Sequence, residues 1–309
     1  MYSIEQIRRG LATPSLVGRE LNRIYYNRLN SRSYNTDGCD IMSEDWDSLL
    51  LLDACRYDLF ADRHSLPGNL SSRMSRGSNT REFLLGNFHG KTFHDTVYVT
   101  ASPMLSRNSE VVNVEFHAEL NVWLDDGWDD NRRTVLPETT ADQAREAAAK
   151  YPEKRLLVHF IQPHYPFIGS DEQPFTDELG FENPDDTNCW RQVMTGDLQT
   201  TAAEVWSAYE ANLDRVLPVV AELLDTLDGK TVVTSDHGNM IGERARPVPI
   251  TEWGHPYGIY TPELVTVPWL EVESSSRREI VPEPPVESTT TADDDVVKQR
   301  LRYLGYTDP

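Results

Sequence analysis

Residues 231–243 read TVVTSDHGNMIGE, which sets Asp236 and His237 side by side straight after a β-branched run. Thr231-Val232-Val233-Thr234 has the composition of a buried strand, and the glycine-containing stretch after it ends that strand. Asp, His and Gly at the mouth of a strand are poor core material. They suit a tight turn at which two side chains converge on one ion. Similar placements recur: LLLL at 49–52 is followed by Asp53, and RLLVHF at 155–160 by QPHYPF, with His164 between prolines. EWGHPYG then sets His255 between Gly254 and Pro256. One such residue at a strand end is an ordinary cap or loop hydrogen bond, but four in one chain suggest a shared site. Asp and His together are the ligand set of zinc, manganese or iron, whereas a mostly carboxylate set favours calcium or magnesium.

A nucleophile is available in SRGSNTREF at 75–83, where small hydroxyl residues follow a glycine and precede a helix. The structural reading is an N-cap, with Asn79 and Glu82 approximating a capping box. The chemical reading is that the helix N-terminus, with unpaired N–H groups and a positive dipole end, receives an anion. A Ser or Thr there, touching a metal, would lose its proton readily and attack an ester.

The elements that would position these residues alternate. Short apolar runs at Trp46–Leu52, Thr96–Thr100, Arg155–Phe160 and Thr231–Thr234 read as strands. Helical patterns lie at Thr80–Phe88, Thr140–Lys150 and Thr201–Leu227, the last interrupted by Pro218. The expectation is an α/β domain with a mostly parallel sheet and helices on both faces. In such sheets ligands bind beyond the C-terminal strand ends, where these polar residues fall. Residues 1–32 read as an amphipathic helical lead-in, packed on the domain or touching a partner through its Arg-rich face. The catalytic domain would span 33–271, with polar 168–200 as an insertion or lid. Residues 272–309 would form a linker, rich in Pro, Ser, Thr and acid as far as 295, and a short terminal helix over Val296–Leu304.

Composition narrows the function. The 309 residues carry 50 acidic against 29 basic side chains, a formal net charge of −21. Such a surface repels nucleic acid and anionic membranes. Acid spread along the whole chain reads as adaptation to a salt-loaded cytoplasm, since the Debye length falls to about 3 Å at 1 M salt. Cys39, Cys55 and Cys189 are widely spaced, which suggests free thiols in a reducing compartment. No stretch approaches the roughly 20 apolar residues of a membrane span, and the N-terminus lacks a signal-peptide core, so a cytoplasmic location is expected. Oligomeric state is not legible.

Taken in order, WDSLLLLDACRYD, SRGSNTREFL, VHFIQPHYPF, VVTSDHGNMIGE, WGHPYGIYTPELVTVPWL and the closing VVKQRLRYLGY resemble the alkaline phosphatase/sulfatase superfamily. The likeness is greatest to the sulfatase-like hydrolases of halophilic archaea. The resemblance implies an alkaline phosphatase-like fold in which Asp53, Asp236 and His237 ligate a divalent metal, zinc or manganese ahead of calcium or magnesium. It implies Thr80 as a nucleophile that also touches the metal, with Ser78 as the rival. His164 would contact substrate, and His255 would hold the transferred group or a second metal. Arg56 and His159 are further candidates for binding the anion. Two departures matter. Sulfatases carry C/S-x-P-S-R, whereas Cys55 is followed by Arg-Tyr-Asp and Ser78 by Asn-Thr-Arg. A two-metal phosphodiesterase needs another carboxylate near His164, where this chain has Gln162. The implied activity is therefore single-metal hydrolysis or transfer of a phosphate mono- or diester of a small molecule, lipid head group or glycan. The alternatives are sulfuric ester hydrolysis, or a non-catalytic binding protein that keeps the fold.

Overall fold

The computed structural model describes residues 14–29, 31–169, 189–286 and 293–306. Most of the expected lid, at 170–188, and the first 13 residues of the lead-in lie outside the described residues. Seven strands form one sheet: β1 (Ser48–Leu52), β2 (Asn69–Met74), β3 (Thr92–Thr100), β4 (Glu115–Asn121), β5 (Arg155–Phe160), β6 (Thr231–Thr234) and β9 (Thr266–Val272). Their order is β2-β9-β6-β1-β5-β3-β4. β6, β1, β5, β3 and β4 are parallel, while β9 pairs antiparallel with both β6 and β2. β7 (Met240–Arg244) and β8 (Thr251–Gly254) make a separate two-stranded ribbon.

The central strands are apolar because both faces of the sheet are covered, so all five residues of β1 are buried. The flanking helices are α1 (Pro14–Tyr26), α2 (Tyr57–Arg63), α3 (Thr80–Phe88), α4 (Met104–Arg107), α5 (Ser109–Val112), α6 (Pro137–Lys150), α7 (Cys189–Thr195), α8 (Ala202–Leu224), α9 (Pro262–Val265) and α10 (Asp294–Tyr303). α6 packs on β3, β5 and α8, while α2 packs on β9 and α8. α8 starts at a full capping box made by Thr201 and Glu204 and runs through Pro218 without ending. The expected interruption therefore does not break the helix.

Register positions the site. Leu51 pairs with both His159 and Thr234, and Leu52 pairs with Phe160, so β5, β1 and β6 end almost level. The residues that follow these three adjacent strands are thereby brought together. The β7–β8 ribbon then pairs Met240 with Gly254 and returns His255 to the same end of the sheet.

The first described helix and residues 273–286 are both tied to this body. α1 packs on the ribbon region: Asn22 donates to the Val248 carbonyl and accepts from its amide, and Arg19 pairs with Glu252. Leu21 and Tyr25 remain exposed on its other side. Residues 273–286, read from composition as linker, form an extended strap without helix or strand. The strap is pinned by backbone bonds from Val281 to Glu153, Glu283 to His94 and Val286 to His117, and by Arg277 on Asp45 and Asp47.

A net charge of −21 remains after all 29 basic side chains are set against the 50 acidic ones. Lowering salt from molar to about 0.1 M lengthens the Debye length to about 10 Å and exposes the folded chain to its own repulsion. The melting temperature in a calorimetric salt series should fall with each step down in salt. A salt-independent melting temperature would contradict this.

Candidate metal and active site

Asp53 leaves β1 into a turn at Ala54, a non-glycine residue with φ of 57°. That left-handed backbone is costly and persists only where its surroundings impose it. Here the Tyr209 hydroxyl donates to the Ala54 carbonyl and accepts from the Arg56 amide. The turn aims the Ala54 amide at Asp236 Oδ1, at 3.0 Å. The His237 amide donates to the same oxygen at 2.9 Å. Oδ1 is thus held by backbone, while Oδ2 is buried and accepts no hydrogen bond. Gly238 follows because a side chain there would collide with the chain opposite: a Cβ would lie 2.1 Å from the Glu263 carbonyl.

Four imidazoles surround the two carboxylates. His237 Nδ1 lies 2.7 Å from the Gly238 carbonyl, which can only accept, so Nδ1 carries a proton and Nε2 is the ring atom turned to the carboxylates. That Nε2 is 3.3 Å from Asp236 Oδ2 and 3.6 Å from Asp53 Oδ1. His159 approaches from the sheet, with Nδ1 2.8 Å from the Tyr98 hydroxyl and Nε2 3.6 Å from Asp53 Oδ2 and 4.0 Å from Asp236 Oδ2. His164 bonds the Tyr165 carbonyl through Nδ1, and its Nε2 is buried without a partner. The His255 ring lies 4.8 Å from that of His237 and 4.9 Å from that of His164.

These contacts and burial set the charges. Burial opposes the charged form of Asp53, but His164, His159 and His237 outweigh it and hold the carboxyl below its usual range. Burial likewise opposes a charged His159, yet Asp53 and Asp236 hold its pKa above the usual value. Burial pushes His164 down. It pushes His255 well down, helped by the facing His237 and His164. Neutral His164 and His255 suit lone-pair and hydrogen-bonding roles.

Thr80 begins α3. The Asn79 side chain caps that helix by accepting from the Glu82 amide at 3.0 Å. The second half of the expected capping box is displaced: buried Glu82 reaches back to the amide and hydroxyl of Ser78, at 2.9 and 2.7 Å. Burial raises the Glu82 pKa. Gly77 allows this tight packing, since a Cβ there would lie 2.4 Å from the Phe83 nitrogen. The result separates the two hydroxyls. Ser78 is surrounded by Glu82, the Pro256 carbonyl at 2.9 Å and the Gly258 amide at 3.1 Å. Thr80 Oγ1 instead faces the imidazole and carboxylate cluster, 3.2 Å from His237 Nε2.

Asp53, Thr80, His159, His164, Asp236, His237 and His255 therefore meet at one end of the sheet. Ser78 and Arg56 stand behind them. The Arg56 guanidinium, considered from sequence as an anion binder, is committed to Asp58, Glu243 and the Asn239 carbonyl and stacks 4.9 Å from the Trp206 ring. His159 belongs with the carboxylates more than with an anion. Sequence reasoning missed Tyr98 and Asn239, which orient His159 and His255, and Tyr306, whose hydroxyl lies 3.0 Å from Thr80 Oγ1. The closing LGY was the visible signal for Tyr306; a Tyr on a neighbouring strand leaves none.

The residues fit a divalent cation. Ligand atoms of Asp53, His159 and Asp236 lie within 4.8 Å of one another, and all three side chains are buried. Asp236 Oδ2 and His159 Nε2 lack hydrogen-bond partners, a costly state for buried polar atoms unless something binds there. Mixed oxygen and nitrogen donors suit zinc or manganese.

No protein-family model and no curated protein matches the chain. Among solved structures, it is similar to the integral membrane lipooligosaccharide phosphoethanolamine transferase A of Neisseria meningitidis. The identity is 15% and the TM-score 0.45, over 72% of this chain and 47% of that one, so the chain spans about half of that protein. It is also similar to the C-terminal periplasmic domain of a Campylobacter jejuni phosphoethanolamine transferase, with 14% identity and a TM-score of 0.44 over 74% of this chain and 78% of that one. A phosphonate monoester hydrolase from Silicibacter pomeroyi matches with 14% identity and a TM-score of 0.37, over 83% of this chain and 72% of that one. No helix among the described residues is long and apolar enough to cross a membrane.

Proposed function

We propose that the protein is a metal-dependent hydrolase or transferase that cleaves a phosphate mono- or diester through Thr80. The observation that carries this reading is the Thr80 hydroxyl on the first turn of α3, 3.2 Å from His237 Nε2 and beside the buried Asp53–Asp236 pair. Asp53, Asp236 and His237, with His159 from the sheet, would hold the cation. Once bound, the cation would polarise the ester and make the hydroxyl easier to deprotonate.

The chain's own residues would do the rest. Thr80 Oγ1 bonds to phosphorus as the bond to the leaving oxygen breaks, and the hydroxyl proton passes to that leaving oxygen. That oxygen departs as an alcohol. His164 and His255 face the transferred group, and the N–H groups at the start of α3 favour its negative charge. Water or a second alcohol then attacks phosphorus and frees Thr80, giving hydrolysis or transfer. The substrate class is a small-molecule, lipid head-group or glycan ester.

Sulfatase chemistry through a matured cysteine has less support. The Cys55 thiol is turned to the Arg56 carbonyl, at 3.9 Å, and burial raises its pKa well above the usual value, whereas it is Thr80 that meets His237. The test is turnover by purified protein in molar salt with manganese or zinc, on nitrophenyl phosphate, a bis-nitrophenyl phosphodiester and nitrophenyl sulfate. Phosphate-ester turnover that disappears on chelation is expected. Faster turnover of the sulfate would overturn the assignment in favour of a sulfatase, and metal binding without turnover of any ester would favour a binding protein.

A further inference from the structure

The described part of the chain ends against the Thr80, Asp53 and His164 cluster. α10 is anchored to the body by buried Val297 and Leu301. Arg300 lies 4.4 Å over the Trp128 ring and bonds Asp130, while Tyr303 stacks on Trp128 at 6.2 Å. Beyond the helix, Gly305 takes a φ of +76°. The Tyr306 amide bonds back to the Leu301 carbonyl at 2.8 Å, and the Gly305 amide to the Arg302 carbonyl at 3.0 Å. This paired pattern around a left-handed glycine is a Schellman stop, which fixes the direction of the residue after the glycine. That residue is Tyr306. Its ring stacks on His164 at 5.0 Å with planes 8° apart, and lies 5.7 Å from His255. Its hydroxyl is 3.0 Å from Thr80 Oγ1 and 3.2 Å from Asp53 Oδ2.

Resting on the reading of Thr80 as nucleophile, we infer that Tyr306 is a further catalytic residue, which holds and then stabilises the Thr80 oxygen through one hydrogen bond. The phenol has a single proton and two neighbours. Directed at Asp53, which as a carboxylate only accepts, it leaves the phenol oxygen to accept the Thr80 hydrogen and orient that hydroxyl. Directed at Thr80, it supports the negative charge on Oγ1 as the hydroxyl proton departs and the oxygen turns to phosphorus. Neither arrangement needs the ring to move. The C-terminal segment is on this account part of the active site, and Gly305 is the residue that aims it.

The test compares wild type, Thr80→Ala, Tyr306→Phe and Tyr306→Ala in the full-length chain, on nitrophenyl phosphate with manganese. Tyr306→Phe keeps the ring on His164 and removes only the hydroxyl. It should lower kcat about 100-fold with KM little changed at saturating manganese, and manganese affinity, read by calorimetry, should fall by a smaller factor than kcat. Tyr306→Ala should lower kcat as far and also raise KM, because the ring that packs on His164 and beside His255 is lost. A Tyr306→Phe enzyme with wild-type kcat, while Thr80→Ala is inactive, overturns the inference and leaves the proposed function standing. Faster turnover in Tyr306→Phe also overturns it, because the tyrosine would then be a plug. Full turnover in Thr80→Ala, or none in wild type, removes the reading on which the inference rests.

Discussion

Replacing Thr80 by alanine is expected to lower turnover of an aryl phosphate at least about 1,000-fold while the protein still folds. The side chain is fully buried, and its hydroxyl has two partners, His237 and Tyr306. Removing it costs roughly 1–3 kcal/mol for the partners left behind, which a domain with this core withstands. The start of α3 survives because Asn79, not Thr80, supplies the cap. Ser78→Ala should behave in the opposite way. It removes the hydroxyl that ties buried Glu82 to the 256–258 loop, so the melting temperature should fall while much of the turnover remains. Initial rates and a thermal melt on each variant check both statements. Turnover surviving in Thr80→Ala and lost in Ser78→Ala would exchange the two roles.

The contrast between these hydroxyls shows where sequence reading runs out. Asn79, Glu82 and the glycine before them are legible as a helix start, and α3 begins at Thr80 as expected. Whether Ser78 or Thr80 faces the carboxylates depends on Glu82 reaching Ser78, which also bonds a loop 178 residues away. β5 and β6 match their expected bounds because parallel strands covered on both faces are uninterrupted apolar runs. β2 and β9 were not legible. NLSSRM is a half-exposed edge strand, and TVPWLEV carries Pro268, which argues against a strand until its pairing with Ser72 is seen. The 273–286 strap reads as linker because its anchors are backbone bonds, to which composition is blind. His159 sits inside an apolar strand, and the resemblance offers it only as an anion binder. Only the neighbouring Tyr98 and the ends of β1 and β6 turn it toward the carboxylates.

Asp236→Asn separates metal chemistry from folding more sharply than any other change. In the wild type, Asp236 Oδ1 accepts from the Ala54 and His237 amides, and an asparagine carbonyl in the same place keeps both bonds. Oδ2, which accepts no hydrogen bond, becomes an amide group facing His159 and His237. One of two buried like charges is thereby removed, so the metal-free variant should melt no lower than metal-free wild type. The response to cation should differ completely. Wild type is expected to gain stability with added manganese or zinc, by about 2.7 kcal/mol at a hundredfold excess over Kd. The variant should show almost no gain and lose metal-dependent turnover, because the oxygen that accepts no hydrogen bond is the one a cation needs. A variant that melts normally without metal and gains as much as wild type with it would place the cation elsewhere. A variant already unfolded without metal would instead make Asp236 a structural residue whose charge the fold requires.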